Sequence, residues 1–79
     1  MVTVIKDGKI EDLNYAGQVD DTSTTDVTYI GKAKIGSVTS DSLWQIKKVD
    51  ESSNTTITWA DSNSDFDNVW DNRTSLTYG

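Results

Sequence analysis

Oxygen-bearing side chains occur at every second position of one polar stretch, namely Asp61, Asn63, Asp65 and Asp67. The loop of a calcium-binding EF-hand supplies carboxylate and amide oxygens at this spacing. Two positions depart from that pattern, because Phe66 stands where the sharp turn requires glycine and Asn72 where a bidentate glutamate closes the cage. The stretch therefore predicts a solvated turn, with a weak Ca²⁺ site as the alternative.

The 79 residues include neither histidine nor cysteine. A Ser-His-Asp or Cys-His catalytic arrangement is therefore excluded, as is a zinc site built on histidine or cysteine. The phosphate-binding patterns GxGxxG and GxxxxGK[ST] do not occur in the sequence either. We expect a protein with no catalytic residues and no cofactor.

The three tryptophans, with Tyr29 and Tyr78, could form either a hydrophobic core or an aromatic surface that binds a ligand. In so small a β-rich chain, aromatic side chains more often form the core, since each buries about 150–250 Å². The predicted core consists of Tyr29, Trp44, Ile46, Ile57, Trp59, Phe66, Trp70, Leu76 and Tyr78.

The composition favours strands over helices. Ser, Thr, Asn and Asp make up 36 of the 79 residues, and their side chains compete with helical hydrogen bonds. Short β-prone bursts between polar clusters predict an all-β fold, a small antiparallel sandwich or barrel. One helical turn is predicted near residues 65–72, where Ser64 begins a capping-box pattern and Phe66, Val69 and Trp70 follow at helical spacing.

Alternating apolar and polar residues predict three strands at residues 27–35, 43–49 and 55–59. The last two form a hairpin in which Trp44, Ile46, Ile57 and Trp59 share one face. The small residues Gly31 and Ala33 predict that a bulky side chain packs over the first strand. A final short strand is predicted at residues 75–78, and Arg73 is predicted to pair with a nearby carboxylate, Asp71, Asp67 or Asp65.

We divide this single domain into an N-terminal docking segment, residues 1–26, and a compact β module, residues 27–79. The docking segment has a strand at residues 2–6, a turn at Asp7-Gly8 and a weaker return strand at residues 10–15. Residues 17–26, rich in aspartate, serine and threonine, predict an exposed loop.

Charge and length indicate which partners to expect. The net charge of −6 repels the phosphate backbone and argues against nucleic acid. No apolar run approaches the roughly 20 residues that span a bilayer, and the first residues do not resemble a signal peptide, so we expect synthesis in a cytoplasm and no membrane partner. A chain this short buries only about three fifths of its surface, so we expect neighbouring subunits to complete its stability.

Residues 27–78 resemble a module of small virion proteins and of fibre or tail proteins of tailed bacteriophages. The resemblance rests on four ordered segments: YIGKA at 29–33, WQIKK at 44–48, WAD at 59–61 and FDNVWDNRTSLTY at 66–78. The sequence departs from the family pattern at Ser62, where glycine is usual, and keeps its arginine at Arg73.

The resemblance implies a structural component of a virion rather than a catalyst. We therefore expect a repeated capsid decoration subunit on the particle exterior, either homo-oligomeric or bound in a lattice of other virion proteins. A small neck, tail or fibre subunit and a module that binds host-surface glycans are the alternatives. Residues 1–26 lie outside the resemblance and are expected to dock the chain to its partner.

Overall fold

The computed structural model describes residues 3–6, 9–12 and 15–79, with side chains from residue 15 onward. In these ranges it contains strands β1 Thr3–Lys6, β2 Lys9–Asp12, β3 Ala16–Thr24, β4 Val27–Ala33, β5 Ser42–Asp50, β6 Thr56–Trp59 and β7 Asn68–Val69, and a 3₁₀ turn, Trp70–Asn72. All strand pairs are antiparallel. The predicted all-β fold with one helical turn near the C-terminus is confirmed.

The strands form a two-stranded sheet and a five-stranded sheet. In the hairpin of β1 and β2, Thr3 lies opposite Asp12 and Lys6 opposite Lys9. The larger sheet has the order β3-β4-β5-β6, and β7 also pairs with β5. Strand β5 is central, since β4 pairs with one of its edges while β7 and β6 share the other. On that shared edge, β7 pairs near Trp44 and β6 pairs from Lys47 onward.

Strand register divides the larger sheet into two faces, because residues directly opposite each other on neighbouring strands share a face. Gly31 of β4 lies opposite Ile46 of β5, so Tyr29, Gly31 and Ala33 share a face with Trp44 and Ile46. We call this the covered face. Residues 70–79, rather than a second large sheet, form the layer that packs on it, through Trp70, Leu76 and Tyr78.

The core lies between the covered face and this C-terminal segment. Its buried members are Tyr29, Ala33, Trp44, Ile46, Ala60 and Trp70, with Ala16, Val27, Leu76 and Tyr78 partly buried against them. Six of the nine residues predicted for the core therefore lie in it or against it: Tyr29, Trp44, Ile46, Trp70, Leu76 and Tyr78.

A tryptophan ring lies directly on the glycine of β4. A Cβ atom built on Gly31 would lie 2.5 Å from Trp70 Cε3 and 3.3 Å from Trp44 Cε3. The two indole rings meet at 6.1 Å between centroids, and Trp44 Nε1 donates a hydrogen bond to the carbonyl of Val38 at 2.9 Å. The bulky side chain that the small residues predicted is therefore Trp70.

Two residues of the predicted core lie elsewhere because of the register between β5 and β6. Lys47 lies opposite Trp59 and Val49 opposite Ile57, so Ile57 and Trp59 occupy the face opposite to Trp44. Ile57 is 57% exposed and Trp59 is half-buried. The shared face predicted for the hairpin is wrong, because alternation within each strand does not fix how two strands align.

The predicted loop at residues 17–26 is also wrong. Strand β3 runs through most of it and pairs with β4, with Gln18 opposite Gly31 and Asp20 opposite Tyr29. A turn in which Asp26 has a φ of 61° joins the two strands. Polar side chains are compatible with a strand at the edge of a sheet, so the composition alone was misleading.

The C-terminal predictions are only partly met. The 3₁₀ turn begins at Trp70, so Ser64 caps no helix, and Phe66 is 39% exposed rather than part of the core. Of the predicted strand at residues 75–78, only Tyr78 forms a β-bridge, with Ala60. The predicted Asp7-Gly8 turn lies outside the described residues.

We predict that Gly31→Ala lowers the free energy of unfolding by about 1–3 kcal/mol, because the new methyl group displaces Trp70 from the sheet. Urea unfolding followed by tryptophan fluorescence measures this loss, and near-ultraviolet circular dichroism reports the displaced indole.

Gly17→Ala is the matched control, since a Cβ at Gly17 in β3 meets no atom within 4 Å. We expect it to leave stability unchanged or to raise it by up to about 1 kcal/mol. Equal losses in the two variants would contradict the packing of Trp70 on Gly31.

Candidate binding surface

The proposed calcium ligands are held in local turns. Asn63 Nδ2 donates a hydrogen bond to the carbonyl of Asp61 at 3.3 Å, and the side-chain oxygen of Asn63 accepts one from the amide of Asp65 at 2.9 Å. Asp67 Oδ1 accepts a hydrogen bond from Asn68 Nδ2 at 3.2 Å. Within the described part of the chain, no three acidic side chains come together at a point where they could hold a metal ion. Residues 61–67 form an exposed series of turns, and the Ca²⁺ alternative stays a prediction.

The same segment positions Phe66. Gln45 Nε2 of β5 donates to the carbonyl of Ser64 at 2.8 Å and so ties the segment to the sheet. The ring of Phe66 then stacks on Tyr15, with centroids 5.8 Å apart and ring planes 19° apart. Phe66 therefore lies on the side of the sheet opposite to the core.

A groove opens beside this aromatic pair. Tyr15, Lys34, Leu43 and Phe66 line a cavity of about 290 Å³. Leu43, the first outward-facing residue of β5, is 45% exposed and Phe66 is 39% exposed. Lys34 is the only charged residue among the described residues of its lining. We refer to this feature as the Leu43 groove.

The rest of this sheet surface is also apolar, and we call it the open face. One row of cross-strand neighbours contains Val19, Ile30, Lys47 and Trp59, and the next contains Thr28, Val49 and Ile57. Along β4, β5 and β6, the only charged residues that alternate onto this face are Lys32 and Lys47. The Lys47 ammonium lies 5.7 Å from the centre of the Trp59 ring, within the range of a cation–π contact.

An ion pair fastens the C-terminal segment across the covered face. Arg73 Nε donates to Asp20 Oδ2 of β3 at 2.8 Å, and the Asp20 side chain is only 8% exposed. The guanidinium lies 4.7 Å above the Trp70 ring and also donates to the Trp70 carbonyl. The predicted partner Asp71 is wrong: Asp71 is exposed and its backbone amide bonds to Thr39. A residue 53 positions away in sequence provides the counter-charge.

Asp20 is held in its ionised form. The Ser23 hydroxyl donates to it, and further hydrogen bonds come from the backbone amides of Thr22 and Ser23 and from Arg73. These donors outweigh the effect of burial and keep the pKa of Asp20 well below its usual 3.8. The carboxylate therefore stays charged, and the ion pair stays intact, throughout the neutral and mildly acidic range.

Tyr78 also holds the C-terminal segment against the covered face. Its hydroxyl donates to the carbonyl of Arg73 at 2.8 Å, and its ring lies 5.8 Å from that of Tyr29. Burial, and then the proximity of Tyr29, raises the pKa of Tyr78 to about 12. The hydroxyl therefore remains a donor well into the alkaline range.

Sequence reasoning missed Tyr15, Asp20, Lys34 and Leu43 as functional or positioning residues. Leu43 carried a signal, because the alternation of β5 places it opposite to the buried Trp44. No sequence signal marked Asp20, because the sequence analysis separated residues 1–26 from the compact module. The ion pair between Asp20 and Arg73 connects these two parts of the chain.

No protein-family model matches the chain, and comparison with curated proteins and with solved structures finds no match to any of them. Among the residues that the structure describes, no helix is long and apolar enough to cross a membrane.

We predict that Asp20→Asn lowers the free energy of unfolding at pH 7 by about 2–4 kcal/mol, because it leaves a partly buried guanidinium without its counter-charge. The folded-state pKa of Asp20 is depressed below the unfolded value of 3.8, so its contribution is complete above about pH 5 and is lost progressively as the pH falls further. Urea unfolding at pH 7 and below pH 4 should show the wild-type advantage shrinking in acid.

Asp21→Asn removes the same charge from the exposed neighbour and should change stability by no more than about 0.5 kcal/mol. Similar losses in both variants would mean that net charge, and not the Arg73 contact, is responsible.

The backbone conformation of the turn after Ala60 also affects stability. Asp61 and Ser62 have φ values of 58° and 60°, and the amide of Asn63 bonds back to Ala60. Ser62→Gly should raise the free energy of unfolding by about 0.5–1 kcal/mol, because relief of the left-handed conformation, about 1–2 kcal/mol, exceeds the added chain entropy of glycine. Thermal unfolding should show a higher midpoint.

Ser53→Gly is the control for that substitution. Ser53 is an exposed loop residue without a positive φ, so glycine there should leave stability unchanged or lower it by up to about 1 kcal/mol. An increase of similar size in both variants would show that the left-handed turn is not the cause.

Proposed function

We propose that the chain is a non-catalytic structural subunit of a tailed bacteriophage particle. In this role it is made in the bacterial cytoplasm and decorates the capsid exterior in many copies, each bound to other virion proteins. The resemblance of residues 27–78 to phage modules supports the assignment of the chain to a virion. The apolar open face supports its docking to a neighbouring protein.

The open face is the observation that carries the docking role. An antiparallel sheet that faces water on one side normally presents polar side chains there. Here Val49 and Ile57 are cross-strand neighbours, and Ile30 and Trp59 lie on either side of Lys47 in the adjacent row. Ile57 is 57% exposed. Apolar side chains grouped in this way are typical of a surface that another protein covers.

The side-chain chemistry favours a structural rather than a catalytic role. A chain without histidine and cysteine has few groups that accept or donate protons near neutral pH. Asp20 has a strongly shifted pKa, but its hydrogen bonds hold Arg73 and a turn in place. These structural contacts therefore account for the shifted pKa of that carboxylate.

The charge supports a position on the outside of the particle. A net charge of −6 makes contact with packaged DNA unfavourable, because a surface of the same sign repels the phosphates. This argument does not distinguish the capsid exterior from the neck or tail, so a small neck, tail or fibre subunit is the second candidate.

Trp59 favours a third candidate, a module that binds host-surface glycans. Its ring is half-buried on the open face and lies beside Lys47, whereas Trp44 and Trp70 are buried. Binding of oligosaccharides would change the Trp59 fluorescence and would be lost in Trp59→Ala, and these results would favour the glycan module over the structural subunit.

The proposal is tested on particles purified from cells in which the phage that encodes this chain replicates. We expect many copies of the chain per particle, counted by quantitative mass spectrometry against the major capsid protein. Ile57→Asp should reduce that number at least tenfold, because it places a charge in the apolar contact. Particles that lack the wild-type chain would overturn the proposal.

Ile35→Asp is the matched control, since Ile35 is 65% exposed and lies beyond the end of β4. It should leave the copy number unchanged. Equal loss with both substitutions would mean that the open face is not the docking surface.

A further inference from the structure

We propose that the Leu43 groove receives one large apolar side chain of the partner protein, and that Lys34 at its rim pairs with a carboxylate next to that side chain. This inference rests on the proposed docking function and names the chemistry of the contact. The partner surface is then an apolar residue adjoining an acidic one.

The geometry supports a single side chain as the occupant. The cavity of about 290 Å³ lies at the lower limit of the range of about 300–1,000 Å³ that is typical of small-molecule pockets. Tyr15, Leu43 and Phe66 supply an apolar lining, and the stacked rings of Tyr15 and Phe66 hold one side of it. Protein interfaces commonly anchor one large apolar residue in a depression of this kind.

Part of this lining is accessible before any partner binds. Leu43 is 45% exposed and Phe66 is 39% exposed, although each is large and apolar. Gln45 fixes the segment that carries Phe66 through its bond to Ser64, so the lining is preformed. A preformed apolar depression binds with a smaller loss of conformational entropy than one that must assemble.

The charge selects an acidic neighbour. Among the described residues that line the groove, Lys34 is the only charged one. The positive potential of the Lys34 ammonium group attracts a carboxylate and disfavours a basic partner. It also disfavours a second copy docked face to face, which would bring the lysines of two open faces together.

The lining argues against a sugar in the same place. A sugar ring in the groove would bury hydroxyl groups against Leu43 and Phe66, whose side chains offer no hydrogen bonds, and of the described lining only Tyr15 and Lys34 could pair with them. Unpaired hydroxyl groups are costly to bury, whereas an aromatic or aliphatic side chain loses nothing in this contact.

The test uses two small probes in place of the unidentified partner, N-acetyl-L-phenylalanine and its uncharged amide. We follow the backbone resonances of the ¹⁵N-labelled full chain at low salt. Both probes should bind weakly and shift the resonances of Lys34, Leu43 and Phe66. The acid should bind about two- to fivefold more tightly than the amide, as expected for one exposed ion pair.

Lys34→Gln should abolish the preference for the acid while the amide binds as before. Lys47→Gln removes the same charge elsewhere on the open face and should preserve the preference. Shifts centred elsewhere, equal binding of acid and amide by the wild type, or equal effects of the two variants would overturn the inference.

Copy numbers measured on purified particles distinguish this inference from the proposed function. Leu43→Asp, checked for unchanged thermal unfolding, should reduce the copy number per particle at least tenfold. If a folded Leu43→Asp chain enters particles normally while Ile57→Asp does not, the groove is not the anchor and the docking function stands. If the wild-type chain is absent from particles, the docking function itself fails, whatever the probes show.

Discussion

The contact between the Trp70 ring and Gly31 is the constraint on which the rest of the structure depends. Within the part of the chain that the structure describes, no second large sheet packs on the covered face, and a C-terminal segment with one 3₁₀ turn buries it instead. A short segment can do so because the Trp70 ring packs where β4 has no side chain and contacts Trp44 there. Arg73 then stacks on Trp70 and reaches Asp20 on the edge strand β3, which joins the segment to the far side of the sheet.

The open face follows from the same arrangement. Strands β4 and β5 place Tyr29, Trp44 and Ile46 towards the core, so the residues between them must point to the other side. Those intervening residues include Ile30 and Val49, and β6 adds Ile57 and Trp59 beside them. The segment that carries Phe66 covers the Gln45 end of this face, while Ile57 of β6 remains 57% exposed.

Charge is unevenly distributed between the two faces and the loops. The described acidic residues lie mainly in turns and loops, whereas Lys32 and Lys47 alternate onto the open face. Both ammonium groups lie over aromatic rings, which keeps positive charge beside apolar surface. An acidic molecule thereby presents one apolar surface that carries positive charge.

The sequence by itself determined the all-β class, because alternation and helix-disfavouring residues are local properties of the chain. It also determined that Trp44 and Ile46 share the inner side of β5 and that something bulky packs on Gly31. For the candidate surface, it indicated only that Leu43 points away from Trp44.

Tertiary structure alone decided the remainder. Whether Ile57 and Trp59 join Trp44 depends on the register between β5 and β6, which a shift of one residue would reverse. The partner of Arg73 depends on which strand lies beside the C-terminal segment, and residue 20 is brought there only by the pairing of β3 with β4. The groove needs Tyr15, Leu43 and Phe66 from three separate parts of the chain, and side-chain patterns within one segment hold no information about such long-range contacts.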